Sequence, residues 1–369
     1  MTQSEPTKVL QVGVVGCGEV AQTTHLPTLQ LLSAWFRVAA VCDLSPTLVD
    51  HCARKFSVER TYSDYRQLCA DPAIDVVLVL AADEYHAEIA IAAADAGKHV
   101  LVEKPMCLTR EEAKAVAEAG ERNKVVVFVG YMRRYAVAFL RMKEEIATLK
   151  TIHYATVRDI IGENSFFVNE SGTFPIYPRD FPADSAQERS AKGKAIASSA
   201  LSAAQASDAR DVSTYRLLGS LGSHDLSAMR ELLGSPNSCI AATRSKADGP
   251  PFITALLEYD GFTTTYETGI DNIADFDAHI EVIGDGKRLK LRYDTPYVKG
   301  LPISLEIKER DEHGHYVERT IRPTYEDAYT LEWKSFYASV MEGTPVKTTP
   351  KDAAQDLDIF DMIMKKLVN

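Results

Sequence analysis

The sequence predicts two domains: an α/β domain built on a doubly wound parallel sheet, then an α+β domain on a mainly antiparallel open sheet. Three observations carry this. Up to about residue 150, short β-branched apolar runs alternate with helical stretches, the pattern of parallel strands joined by crossover helices. Beyond that point strand-length segments succeed one another across turn signals. The length of 369 residues, at roughly 150 per domain, is about two and a half domains. The division is placed at 1–150 and 151–369.

In the first domain the strands are expected at Val9–Val15, Arg37–Cys42, Asp75–Leu80, His99–Val102 and Val125–Gly130. Their nearly continuous apolar character suits strands covered on both faces. Helices are expected at Glu19–Leu32, Pro46–Phe56, His86–Ala96, Arg110–Arg122 and Tyr135–Leu149. Ser45-Pro46 reads as an N-cap and first helical residue, Thr109 with Glu111 and Glu112 caps another start, and Gly97 closes the helix before His99. In the second domain strands are expected at Thr151–Ile161, Phe252–Tyr259, Phe262–Thr268, Ala278–Ile283, Arg288–Tyr293, Ile303–Lys308 and Tyr316–Ile321. The turns Tyr259-Asp260-Gly261 and Gly284-Asp285-Gly286 favour antiparallel hairpins. A helix at Asp225–Leu233 ends at Gly234, and helices at Asp327–Met341 and Lys351–Leu367 finish the chain. The Ala- and Ser-rich insertion Ser185–Asp211 reads either as a mobile loop, placed to act as a lid, or as an added helical segment.

Composition removes several classes. With 41 basic against 52 acidic side chains the net charge is −11, which opposes binding to a phosphate backbone, so no nucleic acid partner is expected. The cysteines Cys17, Cys42, Cys52, Cys69, Cys107 and Cys239 form no C-x-x-C pair and no zinc spacing, so no metal is expected and reduced thiols in the cytoplasm fit best. The N-terminus lacks the basic and apolar regions of a signal peptide. The longest apolar runs fall well short of the ~18 residues of a membrane span, so no membrane partner is expected.

The first strand runs into Gly16-x-Gly18-x-x-Ala21, followed by a helix. That is the dinucleotide fingerprint in its proper setting: glycines for a tight turn and close approach of a pyrophosphate, a small residue for helix packing, and a helix N-terminus facing the anion. Gly16, Gly18, Glu19, Val20 and Ala21 are therefore candidate cofactor residues, and the domain reads as a Rossmann domain. Asp43 ends the second strand 25 positions beyond Gly18, near the ~20 expected of the carboxylate that bonds the adenosine ribose. A carboxylate there repels a 2′-phosphate and no Arg follows at once, so NAD(H) is favoured over NADP(H). Ala81, after the strand Asp75–Leu80, joins the cofactor set.

Further on stands Ala96-Gly97-Lys98-His99-Val100-Leu101-Val102-Glu103-Lys104-Pro105, with His86 upstream and Gly130-Tyr131-Met132-Arg133-Arg134-Tyr135 downstream. Later come Leu221-Gly222-Ser223-His224 and Asp277-Ala278-His279-Ile280-Glu281-Val282-Ile283-Gly284. In this order the blocks resemble the glucose–fructose oxidoreductase / inositol dehydrogenase / MocA family over nearly the whole chain. The resemblance implies a nicotinamide-dependent oxidoreductase acting on a sugar, polyol or derivative in a cleft between the domains. It implies Lys104 and His224 as the residues that handle the hydroxyl proton, Glu103 and His86 beside the cofactor, and Arg133 and Arg134 lining a substrate pocket. A cis bond before Pro105 is expected of such a turn. Tyr131, Asp159, Tyr177, Tyr215 and Ser220 are further substrate candidates from location and hydrogen-bonding capacity. A homo-oligomer, dimer or tetramer, through the C-terminal sheet is implied as well.

The sequence departs from the family pattern in two places. Ser220 stands where polyol-oxidising members carry an aspartate four residues before the histidine, and Ser227 stands where another follows; Asp225 is adjacent to His224. A serine cannot tune a histidine's charge as a carboxylate does. Two further readings therefore accompany the dehydrogenase: a non-catalytic NAD-binding regulatory protein, and an NAD-dependent glycoside hydrolase that oxidises its sugar transiently.

Overall fold

Six parallel strands form the first sheet of the computed structural model, which describes residues 8–246 and 249–368. They are β1 (Leu10–Val15), β2 (Phe36–Cys42), β3 (Arg60–Tyr62), β4 (Val76–Val79), β5 (His99–Glu103) and β6 (Val127–Gly130), ordered β3-β2-β1-β4-β5-β6. The order reverses between β1 and β4, so the loops after these strands meet at the carboxyl edge, the crevice where open α/β sheets take ligands. Register makes this concrete: Val15 pairs with both Cys42 and Val79, so Gly16, Asp43 and Leu80 leave the sheet at one level. The caps expected at Ser45 and Thr109 are present, the latter as a full capping box with Glu112.

The strands expected in this sheet appear within one or two residues. Two elements of this sheet were not expected, β3 and the helix Tyr65–Ala70; β3 is a three-residue edge strand whose exposed side chains carry no apolar period. The helix expected over Glu19–Leu32 forms from Glu19 to Leu31, with a π-turn inside it at Ala21–His25 before the α-helical Leu26–Leu31. Pro27 has no N–H to offer the carbonyl four residues back, and the turn before it widens. The helix expected from Tyr135 begins at Val137, behind a 3₁₀ turn at Met132–Tyr135.

The chain divides into two units. The first runs to Gly130 and adds Thr173–Leu201 and Trp333–Ala354. Fully buried Trp333, with Phe336 and Tyr337, lies edge-on to Phe36 and Phe128, so a helix late in the sequence completes the first sheet's core. The Ser185–Asp211 insertion is helical: Ser185–Ala200, Ala203–Ser207 and the start of Ala209–Leu217. Its first helix joins the first unit through Arg189–Glu84 (3.1 Å), Lys192–Glu88 (2.6 Å) and Ser199–Glu111 (3.2 Å).

The second unit holds Tyr131–Gly172, Ser202–Glu332 and the chain from Gln355. Its sheet comprises β7 (Ile152–Gly162), β8 (Ser238–Arg244), β9 (Ile253–Tyr259), β10 (Phe262–Asp271), β11 (Phe276–Gly284), β12 (Lys287–Tyr293), β13 (Ser304–Arg310), β14 (Tyr316–Ile321) and a two-residue edge, β15 (Leu367–Val368). The order is β14-β13-β12-β11-β7-β10-β9-β8-β15, antiparallel except at β7/β10 and β8/β15. Both expected hairpins form, β9–β10 and β11–β12. One face buries Ala155, Val157, Tyr266, Ile280, Val282, Leu289 and Leu291. On the other, Arg158 bridges Glu267 and Asp277. Strand β8 was not expected: its apolar residues Cys239–Ala242 run together without alternation, and a bulge at Cys239/Ala241 breaks the period.

Candidate functional site

In the first unit the glycine loop is built to be bare. Gly16 has φ +100°, and a Cβ there would lie 2.5 Å from the backbone C and O of Leu80 and 2.6 Å from the N of Ala81. No side chain fits, which is also why Ala81 belongs beside it. Gly18 differs: a Cβ would meet nothing within 4 Å. Its bareness leaves open space at the start of the first helix, where a pyrophosphate would approach backbone N–H groups. Asp43 closes the loop from the side. Its Oδ2 accepts from the Cys17 N–H (2.7 Å) and its Oδ1 from the Ser45 N–H (2.9 Å), so β2's acid holds the glycine loop itself. Burial raises the Asp43 carboxyl above the usual range, against the pull of these N–H groups. The loop, the acid and the helix start together fit a dinucleotide.

Lys104 is half-buried at the end of β5, and the peptide bond to Pro105 is cis, as expected. Its N–H is bonded to the Glu103 carboxylate at 3.0 Å. Glu103 in turn takes Nε2 of His25 at 3.0 Å, and Nδ1 of His25 lies 3.1 Å from Trp333 Nε1. An indole N–H only donates, so Nδ1 of His25 accepts and its proton sits on Nε2, facing Glu103. Burial disfavours the Glu103 carboxylate, but His25 and Lys104 outweigh it and lower its pKa. His86 is buried with both ring nitrogens on carbonyls, Nε2 on Ala81 and Nδ1 on Pro105, each at 2.8 Å. It ties the loops after β4 and β5 together.

Tyr177, expected at the substrate, belongs to the first unit: its hydroxyl donates to Glu19 at 2.6 Å. It is part of a strap over the first helix and β2's end. Gln22 and Ile176 exchange a reciprocal pair of hydrogen bonds (2.9 and 3.2 Å), Lys55 donates to the Thr173 carbonyl, and Asp180 accepts from Ser45 Oγ and the Thr47 N–H.

The second unit gathers Tyr131, Arg134, Asp159, Tyr215, Ser220 and His224. His224, 9% exposed, lies in the first turn of the helix Ser223–Leu233, behind a π-turn at Leu218–Gly222. Gly222 allows that entry, since a Cβ there would lie 2.4 Å from the Tyr266 hydroxyl. Beside His224, Asp225 shares the guanidinium of Arg133 with Asp159 (2.5 Å to Asp225, 3.1 and 3.2 Å to Asp159), all three buried. Two carboxylates thus face one cation. Burial, with the charge of Asp159, raises the Asp225 carboxyl well above its ordinary range despite Arg133. Arg134 bonds Glu231 at 2.7 Å, and Tyr131 donates to Asp356, which also takes Arg230. Tyr215 is buried edge-on to Phe360. Ser220 is exposed, and Ser227 donates to the His224 carbonyl at 3.1 Å. The sequence reading missed His25, Asp180 and Asp356; their partners are 78 to 308 positions away. Among the described residues no group of three or more His, Cys, Asp or Glu could hold a metal. No helix among them is long and apolar enough to cross a membrane.

Residues 10–131 match the family model described as an oxidoreductase family with an NAD-binding Rossmann fold. These residues, about a third of the chain, carry its likeness to the glucose–fructose oxidoreductase / inositol dehydrogenase / MocA family. Among its relatives, the inositol 2-dehydrogenase of Salmonella paratyphi B is 35% identical over 139 residues, 37% of this chain and 41% of that protein. The chain thus aligns with about two fifths of the length of such relatives. Inositol 2-dehydrogenase 2 of Saccharopolyspora erythraea is 27% identical over 342 residues, 90% of this chain and 86% of its own. Two solved structures share the fold: levoglucosan dehydrogenase in complex with NADH and levoglucosan (TM-score 0.73, 23% identity, 97% of each chain), and a 3-ketoreductase from Actinomadura kijaniata in complex with TDP-benzene and NADP (0.71, 17%, 98% of each). The same fold therefore carries NADH in one and NADP in the other.

Proposed function

We propose that this protein is an NAD(H)-dependent oxidoreductase that moves hydride between nicotinamide and a carbinol or carbonyl carbon of a sugar, polyol or sugar derivative. The observation that carries this is the head of the first sheet, where a bare glycine loop is held by the carboxylate of Asp43. The nicotinamide, when bound, supplies the hydride acceptor or donor. Gly16, Gly18, Glu19, Val20, Ala21, Asp43 and Ala81 would hold the dinucleotide. His86, with both nitrogens engaged by carbonyls, would act by positioning Ala81 and Pro105. Lys104 and His224 would exchange the hydroxyl proton of the substrate, work that a lysine ammonium and an imidazole can do near neutral pH. Glu103 would fix the backbone at Lys104, and the Arg133 cluster the first turn that bears His224.

The test is a panel of polyols, sugars and anhydrosugars followed at the NADH absorbance, with Lys104→Ala and His224→Ala alongside. Net NADH formation is expected, with kcat down about 10²-fold or more in each variant while NADH still binds. Parent rates in both variants would refute the assignment of these residues. Substrate cleavage at constant NADH would replace oxidation by redox-assisted glycoside hydrolysis. The six buried, unbridged thiols suit a reducing cytoplasm. Homo-oligomerisation through the outer face of the C-terminal sheet, around Arg158, is part of the same reading; a monomeric mass by light scattering overturns it.

A further inference from the structure

We propose that Asp180 is a cofactor-specificity residue: carried in by the strap, its carboxylate occupies the anion seat at the start of the helix Pro46–Phe56 and excludes a 2′-phosphate from the end of β2. This rests on reading the first unit as a dinucleotide site, and it places part of the choice between NAD(H) and NADP(H) on a residue 135 positions beyond Ser45.

The end of β2 is where a Rossmann sheet reads the adenosine ribose. The next element is a helix of 11 residues whose first N–H groups lack intrahelical partners and whose dipole favours an anion. A 2′-phosphate approaching the ribose from this side would need those donors. Each is already engaged. Pro46 has no N–H; Thr47 donates to Asp180 Oδ2 at 3.0 Å; Leu48 donates to Ser45 Oγ at 3.2 Å; Val49 donates to the Ser45 carbonyl at 3.1 Å. The Ser45 hydroxyl proton goes to Asp180 Oδ1. Asp180 thus holds the place and the sign of charge that a phosphate oxygen would take. Asp43, its Oδ1 on the Ser45 N–H two residues on, adds a second negative charge. The helix's own cations, Arg54 and Lys55, lie in its last turn, bonded to Asp50 and to the Thr173 carbonyl, while Arg179 stands exposed next to Asp180.

The position of Asp180 is held by more than its own two bonds. The reciprocal Gln22–Ile176 pair, Tyr177 on Glu19 and Lys55 on Thr173 fix the strap on the same unit. A residue whose purpose was only to cap the helix would duplicate Ser45, which already caps Leu48.

The test titrates the full-length protein, Asp180→Asn and Asp180→Ser with NADH and with NADPH, reading cofactor fluorescence. The parent is expected to favour NADH. In Asp180→Ser the ratio of the two Kd values should fall about tenfold or more through tighter NADPH binding, with Asp180→Asn between, and the difference should shrink at high salt because it is electrostatic. A ratio that moves by less than about twofold in both variants overturns the proposal. So does an equal loss of affinity for both cofactors, which would make Asp180 a strap anchor only. A parent that binds neither cofactor removes the dinucleotide reading itself, and this proposal with it.

Discussion

The two fingerprint glycines should fail in different ways when each becomes alanine. At Gly16, with φ +100°, an alanine pays for a backbone conformation that costs an L-residue about 1–2 kcal/mol. Its Cβ would also sit 2.5 Å from the backbone of Leu80, which has no rotamer to retreat into, and such overpacking costs about 1–3 kcal/mol. The sum, about 3 kcal/mol, corresponds to a melting shift of roughly 6–12 °C for a unit in the range of 150–250 residues. At Gly18 the added methyl meets nothing and no positive φ is involved, so stability should change by less than about 1 kcal/mol. The methyl would instead fill the space left for the pyrophosphate, and NADH should bind about tenfold or more weaker. Thermal unfolding followed by near-ultraviolet circular dichroism reads the first effect, and NADH fluorescence titration the second. The reasoning is refuted if Gly18→Ala melts as low as Gly16→Ala, or if it binds NADH as tightly as the parent.

Two further outcomes follow from buried charge. The folded-state pKa of Asp225 is raised above its unfolded value, so this group favours folding below about pH 4 and costs stability as pH rises towards that raised pKa. Asp225→Asn should therefore gain stability over the parent from pH 4 to pH 8 in denaturant titrations, and a difference that is flat with pH contradicts the shift. In the chain Trp333–His25–Glu103–Lys104, Glu103→Gln forces one donor to face another whichever way the amide turns, at about 1–3 kcal/mol. Adding Trp333→Phe frees the His25 tautomer, so the double variant should be less destabilised than the sum of the singles; strict additivity would break the proposed chain.

Which parts of this protein are legible in its sequence depends on how far apart the partners stand. The glycine loop reads from one line of text because strand, turn and helix are neighbours, and Asp43 follows because a βαβ unit has a narrow range of lengths. Helix starts at Ser45 and Thr109 read for the same reason, each cap lying three residues from its partner. Strand β3 and strand β8 do not, since the first is three residues long and the second carries a bulge that breaks its period.

The site's supports lie beyond that range. His25 looks like one more polar residue of a helix until Trp333, 308 positions on, supplies the donor that sets its tautomer. Tyr177 has the chemistry of a substrate contact, yet its hydroxyl belongs to Glu19, because the chain after β7 returns to the first unit before it resumes the second. A linear reading assigns a segment to the domain around it, whereas hydrogen bonds assign it to the surface it lies on. That difference matters most for Asp180. Its neighbours in sequence, a run of prolines and aromatics, say nothing about cofactors, and its meaning comes wholly from the helix start on which it rests. The motif therefore tells where a dinucleotide would sit, and the strap that no motif describes is where its selectivity is to be sought.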